Sequence, residues 1–450
     1  MVGGRKKAKI CDQVSHEEED RISHLPDPLI CEILYHLSTK DAVRTSVLST
    51  RWRYLWQSVP GLDLGSTSFL KFDAFVSFVE RYFISHRESW IRKLRLSFYS
   101  HGMCDLASWI DAVTRRKIQH LEVDYNAYDN HKIPLSLYTC ETLVHLRLCK
   151  VTLPNAEFVN LPCLKIIHLR NIKYPNETTL QKLISGSPVL EDFTSIRYSK
   201  VDAGHVLQLR SHTLKRIDIY NEFTQVVIDA PRLQCLRASV SSPKSFQIVN
   251  LGSSAKLEIS FPSRDVTYSS NTIHNVLTDI SRVRELVITN GIWKYSKPGP
   301  VLQFHDLSRL NVKFSKSDLE MLPTILENCP KLESLVMELV QDGFMFLRPK
   351  KTTEPKVMFS TVPMCLVSSL KVVEWKRSIT GYEEETELVR YFLKNSKIME
   401  KLKLDVYYTE KAKCAFLQEL LTMPRCSTVV KLVDFRRDIL SFEPQANIED

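Results

Sequence analysis

The sequence predicts an α/β chain: a short helical module, an irregular solenoid of stacked strand-and-return units, and a closing β-α-β unit. Three observations predict it. Residues 20–56 carry apolar residues at helical spacing between helix-start signals. A six-residue phrase, L-x-x-L-x-L, then returns along most of the chain. Near the C-terminus two such phrases flank a helical pattern.

In the module, DRISHLPDPLICEILYHLSTKDAVRTSVLSTRWRYLW, Leu25-Pro26 ends an extended lead-in, because the residue before proline is pushed out of the helical region. Asp27 then suits an N-cap and Pro28 a first helical position. Leu29, Ile33 and Leu37 recur at i+4 with Ile30 and Leu34 one step round, giving a wide apolar face. Ser38 with Asp41 resembles a capping pair that starts a second helix bearing Val43, Val47 and Leu48. A third segment brings Trp52, Leu55 and Trp56. Helices this short cannot bury all that surface among themselves. The excess packs either on the units that follow or on a partner protein.

The string from Asp20 to Trp56 closely resembles the F-box of the large plant F-box family. That resemblance implies docking to the Skp-family adaptor of a Cullin-based ubiquitin ligase. By position in the motif it places Leu25, Pro26, Ile33, Leu34, Val47, Leu48 and Trp52 at the interface.

After the module, Val59-Pro60-Gly61-Leu62-Asp63-Leu64 marks a turn into a strand, and residues 69–85 have helical spacing. The repeated phrase follows as IRKLRL (91–96), IQHLEV (118–123), LVHLRL (143–148), LKIIHL (164–169) and LEDFTS (190–195). LKRIDI (214–219), LQCLRA (233–238), VRELVI (283–288), LSRLNV (307–312), LESLVM (332–337), LKVVEW (370–375) and MEKLKL (399–404) continue it, with AKLEIS near Leu257 degenerate. Most steps are about 19 to 30 residues, the range of leucine-rich repeats. Alternation of the last two apolar positions predicts a short strand facing a core. Stacking such units buries a continuous seam. Prolines 162, 188, 231 and 330, each just ahead of a phrase, end the preceding helix or loop. Uneven spacing predicts an irregular horseshoe, with helices at Thr178–Ser185 and Ser317–Asn328 and an exposed basic loop over 338–362.

From Val362, the matching elements Pro363, Cys365-Leu366, Leu370-Lys371, Val373-Glu374, Gly381, Glu387-Leu388 and Tyr391-Phe392-Leu393-Lys394-Asn395 resemble the FBD domain of many plant F-box proteins. The resemblance implies a β-α-β unit capping the solenoid. The domain reading is therefore a charged tail over 1–19, the F-box over 20–60, leucine-rich repeats over 61–361, an FBD domain over 362–441 and a tail over 442–450.

Composition agrees with a soluble chain: 44% hydrophobic, 25% charged, and no apolar run of membrane-spanning length. The N-terminus lacks the apolar stretch of a secretory signal. Eleven scattered cysteines without a C-x-x-C pair fit reduced thiols in the nucleus and/or cytoplasm. Asn176-Glu177-Thr178 is a glycosylation sequon that is idle without secretion. The net charge of +9 has one dense cluster, Arg5-Lys6-Lys7-Ala8-Lys9, followed at once by acids. That cluster is either a nuclear localisation signal or half of a charge-segregated tail, and nucleic-acid binding is not expected.

No phosphate loop, nucleophile elbow or paired metal-ligand spacing is present, so neither catalysis nor a cofactor or metal is expected. Positions flanking the middle leucine of each phrase face the concave side. They are Lys93, Arg95, His120, Glu122, His145, Arg147, His168, Arg216, Asp218 and Arg237. With more bases and histidines than acids, that face suggests capture of an acidic or phosphorylated target segment through Arg95, His145, Arg147, His168, Arg216 and Arg237. Solvated strand flanks would give the same polarity. The reading is a non-catalytic substrate-recognition subunit of an SCF-type ubiquitin ligase, its partners the Skp-family adaptor, Cullin through it, and a target protein. The alternative is a ligase-independent leucine-rich-repeat scaffold that binds proteins.

Overall fold

The computed structural model describes residues 22, 24–85, 90–99, 104–125, 131–176, 178–197, 205–220, 223–239, 246–252, 255–260, 280–289, 303–314, 319, 321–339, 361–379, 383–406, 416 and 418–434. Both tails, most of the 338–362 loop and residues 317–318 and 320 of the expected second repeat helix lie outside them.

The chain opens with α1 (Asp27–Tyr35), α2 (Thr39–Arg44) and two 3-10 turns at Thr45–Val47 and Trp52–Ser58. The start of α1 differs from expectation by one residue. Pro26 is the N-cap, extended and without a side-chain cap, and its carbonyl accepts from the amides of Leu29 and Ile30. Asp27 sits in the first turn because its carboxylate is held by Arg51 at 2.6 Å and so is not available to cap. Ser38 does cap α2, accepting from the Asp41 amide at 3.2 Å while its hydroxyl donates to the Asp41 carboxylate at 2.7 Å.

Every complete L-x-x-L-x-L phrase becomes a strand beginning two residues in, and the degenerate AKLEIS one beginning one residue in. In order these are β2 (Lys93–Phe98), β3 (His120–Tyr125), β4 (His145–Cys149), β5 (Ile166–Arg170), β6 (Asp192–Ile196), β8 (Arg216–Tyr220), β10 (Cys235–Ser239) and β12 (Lys256–Ser260). They continue as β13 (Glu285–Thr289), β14 (Arg309–Phe314), β15 (Ser334–Leu339), β16 (Val372–Ile379) and β17 (Lys401–Val406). With β1 (Gly61–Gly65) before them and β18 (Lys431–Asp434) after, they form one parallel sheet in chain order.

The register explains why the phrase recurs. The middle apolar residue of each phrase pairs with that of the next: Leu94 with Leu121, Leu121 with Leu146, Leu146 with Ile167, Ile167 with Phe193 and Phe193 with Ile217. All six are buried in one core that runs the length of the sheet. A one-residue slip would turn that whole row outward, so repetition fixes register.

Two features depart from the sequence reading. Three return segments in the middle of the array are strands, β7 (His205–Arg210), β9 (Phe223–Ala230) and β11 (Phe246–Leu251), forming a second parallel sheet in the order β11-β9-β7. Their phrases, starting at 190, 214, 233 and 255, are among the most closely spaced. An extended chain advances about 3.3 Å per residue against about 1.5 Å in a helix, so an extended return needs fewer residues to span the same gap. The series also does not close at MEKLKL, since β18 pairs one further strand onto β17, Leu432 beside Leu402.

Several other returns carry a helix, while residues 150–165 between β4 and β5 carry none. Residues Phe72–Ser85, Leu106–Thr114, Leu322–Glu327 and Met364–Ser368 form helices, and Thr178–Ser185 is helical over the expected span. The helix Glu383–Asn395 lies between β16 and β17, giving the expected β-α-β unit. The sequon residue Asn176 is used structurally. Its side-chain oxygen accepts from the Thr179 amide at 2.9 Å and its amide nitrogen donates to Asn155 at 2.8 Å.

Candidate protein-docking surfaces

The helical module has its own small core of Ile30, Leu34, Ala42, Trp52, Leu55 and Val59. This divides the wide apolar face of α1. Ile30 and Leu34 turn inward, while Leu29, Ile33 and Leu37 stay exposed. Val47 and Leu48, on the 3-10 turn and just after it, are 85% and 66% exposed. Apolar side chains left this open on neighbouring turns mark an interaction surface, because water contact there is unfavourable by about 25 cal/mol per Å².

Of the seven residues assigned to the adaptor interface, Ile33, Val47, Leu48 and Pro26 lie on the surface and Leu25 is half-buried against the core. Leu34 and Trp52 are placed differently, at 1% and 6% exposed, so they support the outer residues from beneath. Motif position did not distinguish the two groups, because both are apolar at the same helical spacing.

The module is fixed to the first strands. Glu32 pairs with Arg92 at 3.3 Å, and the Arg92 guanidinium lies 5.1 Å from the Tyr35 ring. The Asp63 amide donates to the Thr39 hydroxyl at 2.8 Å, and Trp56 stacks on Phe78. Part of the module's apolar surface is thus covered by the units that follow, and the Val47–Leu48 side is not.

The face of the main sheet turned away from the core is a ladder of charges. Arg95 pairs with Asp63 at 3.6 Å and Glu122 at 3.3 Å, and Arg147 with Glu122 at 3.1 Å. Arg216 meets Asp192 at 2.8 Å, and Arg237 lies between Asp218 at 3.9 Å and Glu258 at 3.3 Å. The expectation of surplus base therefore needs correction. Parallel register sets an acid from the adjoining strand beside each of these bases, and Asp63, Asp192 and Glu258 were absent from the sequence tally. Asp63 and Glu258 escaped notice because they sit in strands with no phrase or a degenerate one.

His120, His145 and His168 pack edge to face across three neighbouring strands, at 6.1 and 5.6 Å between ring centres. Burial pushes the His145 imidazole pKa down, and the neighbouring histidines add to it; its Nε2 is buried without a hydrogen-bond partner. Burial, then Lys93 and Arg92, lower His120 likewise. His145 is thus a wall residue more than a contact residue. Among the described residues no cluster of His, Cys, Asp or Glu is arranged to hold a metal, and no helix is long and apolar enough to cross a membrane.

Burial raises the Asp192 carboxyl pKa, but the contacts from His168 (3.7 Å) and Arg216 (2.8 Å) outweigh it and hold the group below its ordinary value. A carboxyl held down in the folded chain stabilises above its unfolded pKa, and that contribution is lost as pH falls through the lowered value. Asp192→Asn is therefore expected to flatten the fall in urea midpoint below about pH 4. Identical acid limbs for variant and wild type would contradict this linkage.

Comparison with known proteins finds three family models along the chain. Family models match at residues 22–63 (F-box domain), 106–260 (FBD-associated F-box protein At5g56370, LRR repeats) and 359–404 (FBD). The chain is 62% identical over 442 residues to the F-box/FBD/LRR-repeat protein At1g51370 of Arabidopsis thaliana, covering 96% of this chain and all of that one. It is 47% identical to At5g53840 of the same description and organism, over 95% of this chain and 98% of the relative. For At5g22660 the figures are 38%, 93% and 98%.

Proposed function

The chain belongs to the F-box/FBD/LRR-repeat family, and on that premise we propose that it is a substrate-recognition subunit of an SCF-type ubiquitin ligase. The helical module docks a Skp-family adaptor, and Cullin through it; the repeats bind a target protein. The chain itself performs no chemistry, and ubiquitin transfer is carried out by its partners. Holding a target beside the loaded conjugating enzyme raises the effective concentration of the target's lysines there, which is how a non-catalytic subunit confers specificity.

The observation that carries this reading is the apolar surface of Ile33, Val47 and Leu48, which the other described residues leave exposed while the units that follow cover another part of the same module. A scaffold acting without the ligase would have no use for that asymmetry.

Co-purification of the full chain with a plant Skp-family adaptor tests the proposal, beside a Leu25→Ala/Pro26→Ala variant. Loss of the Leu25 side chain removes packing under the docking face, and loss of Pro26 frees the geometry that starts α1. Capture by wild type and its marked reduction in the variant are expected. A folded wild type that captures no adaptor would instead favour the ligase-independent scaffold.

A further inference from the structure

At the C-terminal ends of β3 to β6 the concave face opens into a cleft of about 230 Å³. Its polar lining is Asp124, Arg147, Cys149, His168, Arg170 and Thr194. Small-molecule sites occupy roughly 300–1,000 Å³, so this volume suits a single side chain.

The cleft lies where the charge ladder is least complete. Arg95 and Arg237 are each held between two acids, and Arg216 lies in hydrogen-bonding contact with Asp192. Arg147 gives one amino group to Glu122. Arg170 reaches Asp124 only at 4.0 Å, beyond hydrogen-bond distance, and donates no side-chain hydrogen bond among the described residues. The lining thus sets two guanidinium groups against one carboxylate. Both guanidiniums are accessible, at 43% and 44% side-chain exposure.

Their placement is also set by the backbone. Arg147 pairs in register with His168, and Cys149 with Arg170, so the two arginines lie diagonally on one face of adjacent strands. The Arg170 carbonyl accepts from the Lys150 amide at 2.8 Å, which fixes the strand end that carries it. Cys149 adds no charge: burial, then the adjoining Asp124 carboxylate, push its thiol up to about 12.

We propose that this cleft receives one anionic side chain, a carboxylate or a phosphate, from an extended segment of the target protein, held by Arg147 and Arg170. The two planar forks match the paired oxygens of either group. The neighbouring, fully paired arginines give the segment a polar surface to lie along without competing for the anion. The proposal rests on reading the repeats as the target-binding part, but its test is separate, because adaptor capture probes the module and peptide capture probes the cleft.

The probe is a library of random peptides with the central residue fixed as glutamate, phosphoserine, alanine or lysine, presented to the full chain. Glutamate- or phosphoserine-centred peptides are expected to be enriched, and the stronger of the two arms identifies the anion. Arg147→Gln/Arg170→Gln is expected to weaken their retention about tenfold or more, and Arg115→Gln, at the end of the helix Leu106–Thr114 and outside the strand face, to leave it unchanged. Arg170→Glu is expected to shift preference toward lysine-centred peptides. Equal retention of alanine-centred peptides, or an equal loss in Arg115→Gln, would overturn the proposal. That result together with intact adaptor capture would overturn the cleft alone and leave the ligase reading standing.

Discussion

Gly186→Val is expected to destabilise the solenoid by about 3 kcal/mol or more, seen as a lower urea midpoint by circular dichroism. Gly186 follows the helix Thr178–Ser185 and passes directly over the preceding return segment. A Cβ built on it would lie 2.4 Å from the Val159 carbonyl oxygen and 2.8 Å from the Val159 side chain. The obstructing atom is backbone, and it cannot withdraw. The Leu161 amide donates to the Gly186 carbonyl at 2.8 Å, and the Gly186 amide to the Lys182 carbonyl at 2.9 Å. Relief of the clash would break one of these bonds and part the helix from the irregular segment around Val159 and Leu161. In a stacked array each unit is stabilised by its neighbours, so the damage passes to β5 and β6. A wild-type midpoint for Gly186→Val would mean that this close approach does not exist. The Gly186-Ser187 pair thereby has a packing role, in keeping with its lack of a nucleophile-elbow pattern.

Val47→Asp/Leu48→Asp is expected to lower affinity for the Skp-family adaptor about 100-fold or more while leaving the free chain folded. Neither residue belongs to the module's core, so two new surface charges change stability by about 0.5 kcal/mol or less each. In a docked complex the same charges would be buried against an apolar partner without counter-ions, which costs several kcal/mol. Calorimetric titration of both proteins, with thermal unfolding of the free variant, checks the two halves of the expectation. Wild-type affinity in a folded variant would place docking elsewhere on the module. The contrast with Trp52→Ala is informative, since that change empties the module's core and would lose adaptor capture through unfolding.

Much of this architecture is legible in the sequence because a repeated phrase carries its own register. Leu94, Leu121 and Leu146 occupy the same place in successive phrases and meet in the fold. The Ser38–Asp41 cap and the helix Thr178–Ser185 are equally local, so spacing alone predicts them. The returns β7, β9 and β11 are less legible. Their alternation, Leu207 with Leu209 and Val226 with Ile228, is present in the chain, but no repeated phrase marks it. At the sites, composition misled where geometry decides. The concave bases were countable, but their acidic partners come from neighbouring strands, as Asp192 does for Arg216 and Glu258 for Arg237. Helical spacing found the apolar stripe of α1, yet which half faces the module core depends on Trp52 and Leu55, which lie beyond α2 in the 3-10 turn Trp52–Ser58.

The central claim is that the helical module, and not the repeat face, engages the ligase. Hydrogen–deuterium exchange of the full chain with and without a Skp-family adaptor tests it most directly. Amides in α1 and in residues 45–58 are expected to gain protection, while those of β3 to β10 exchange as in the free chain. Protection on the repeat strands with none on the module, or no protection anywhere for a folded chain at saturating adaptor, would contradict the account.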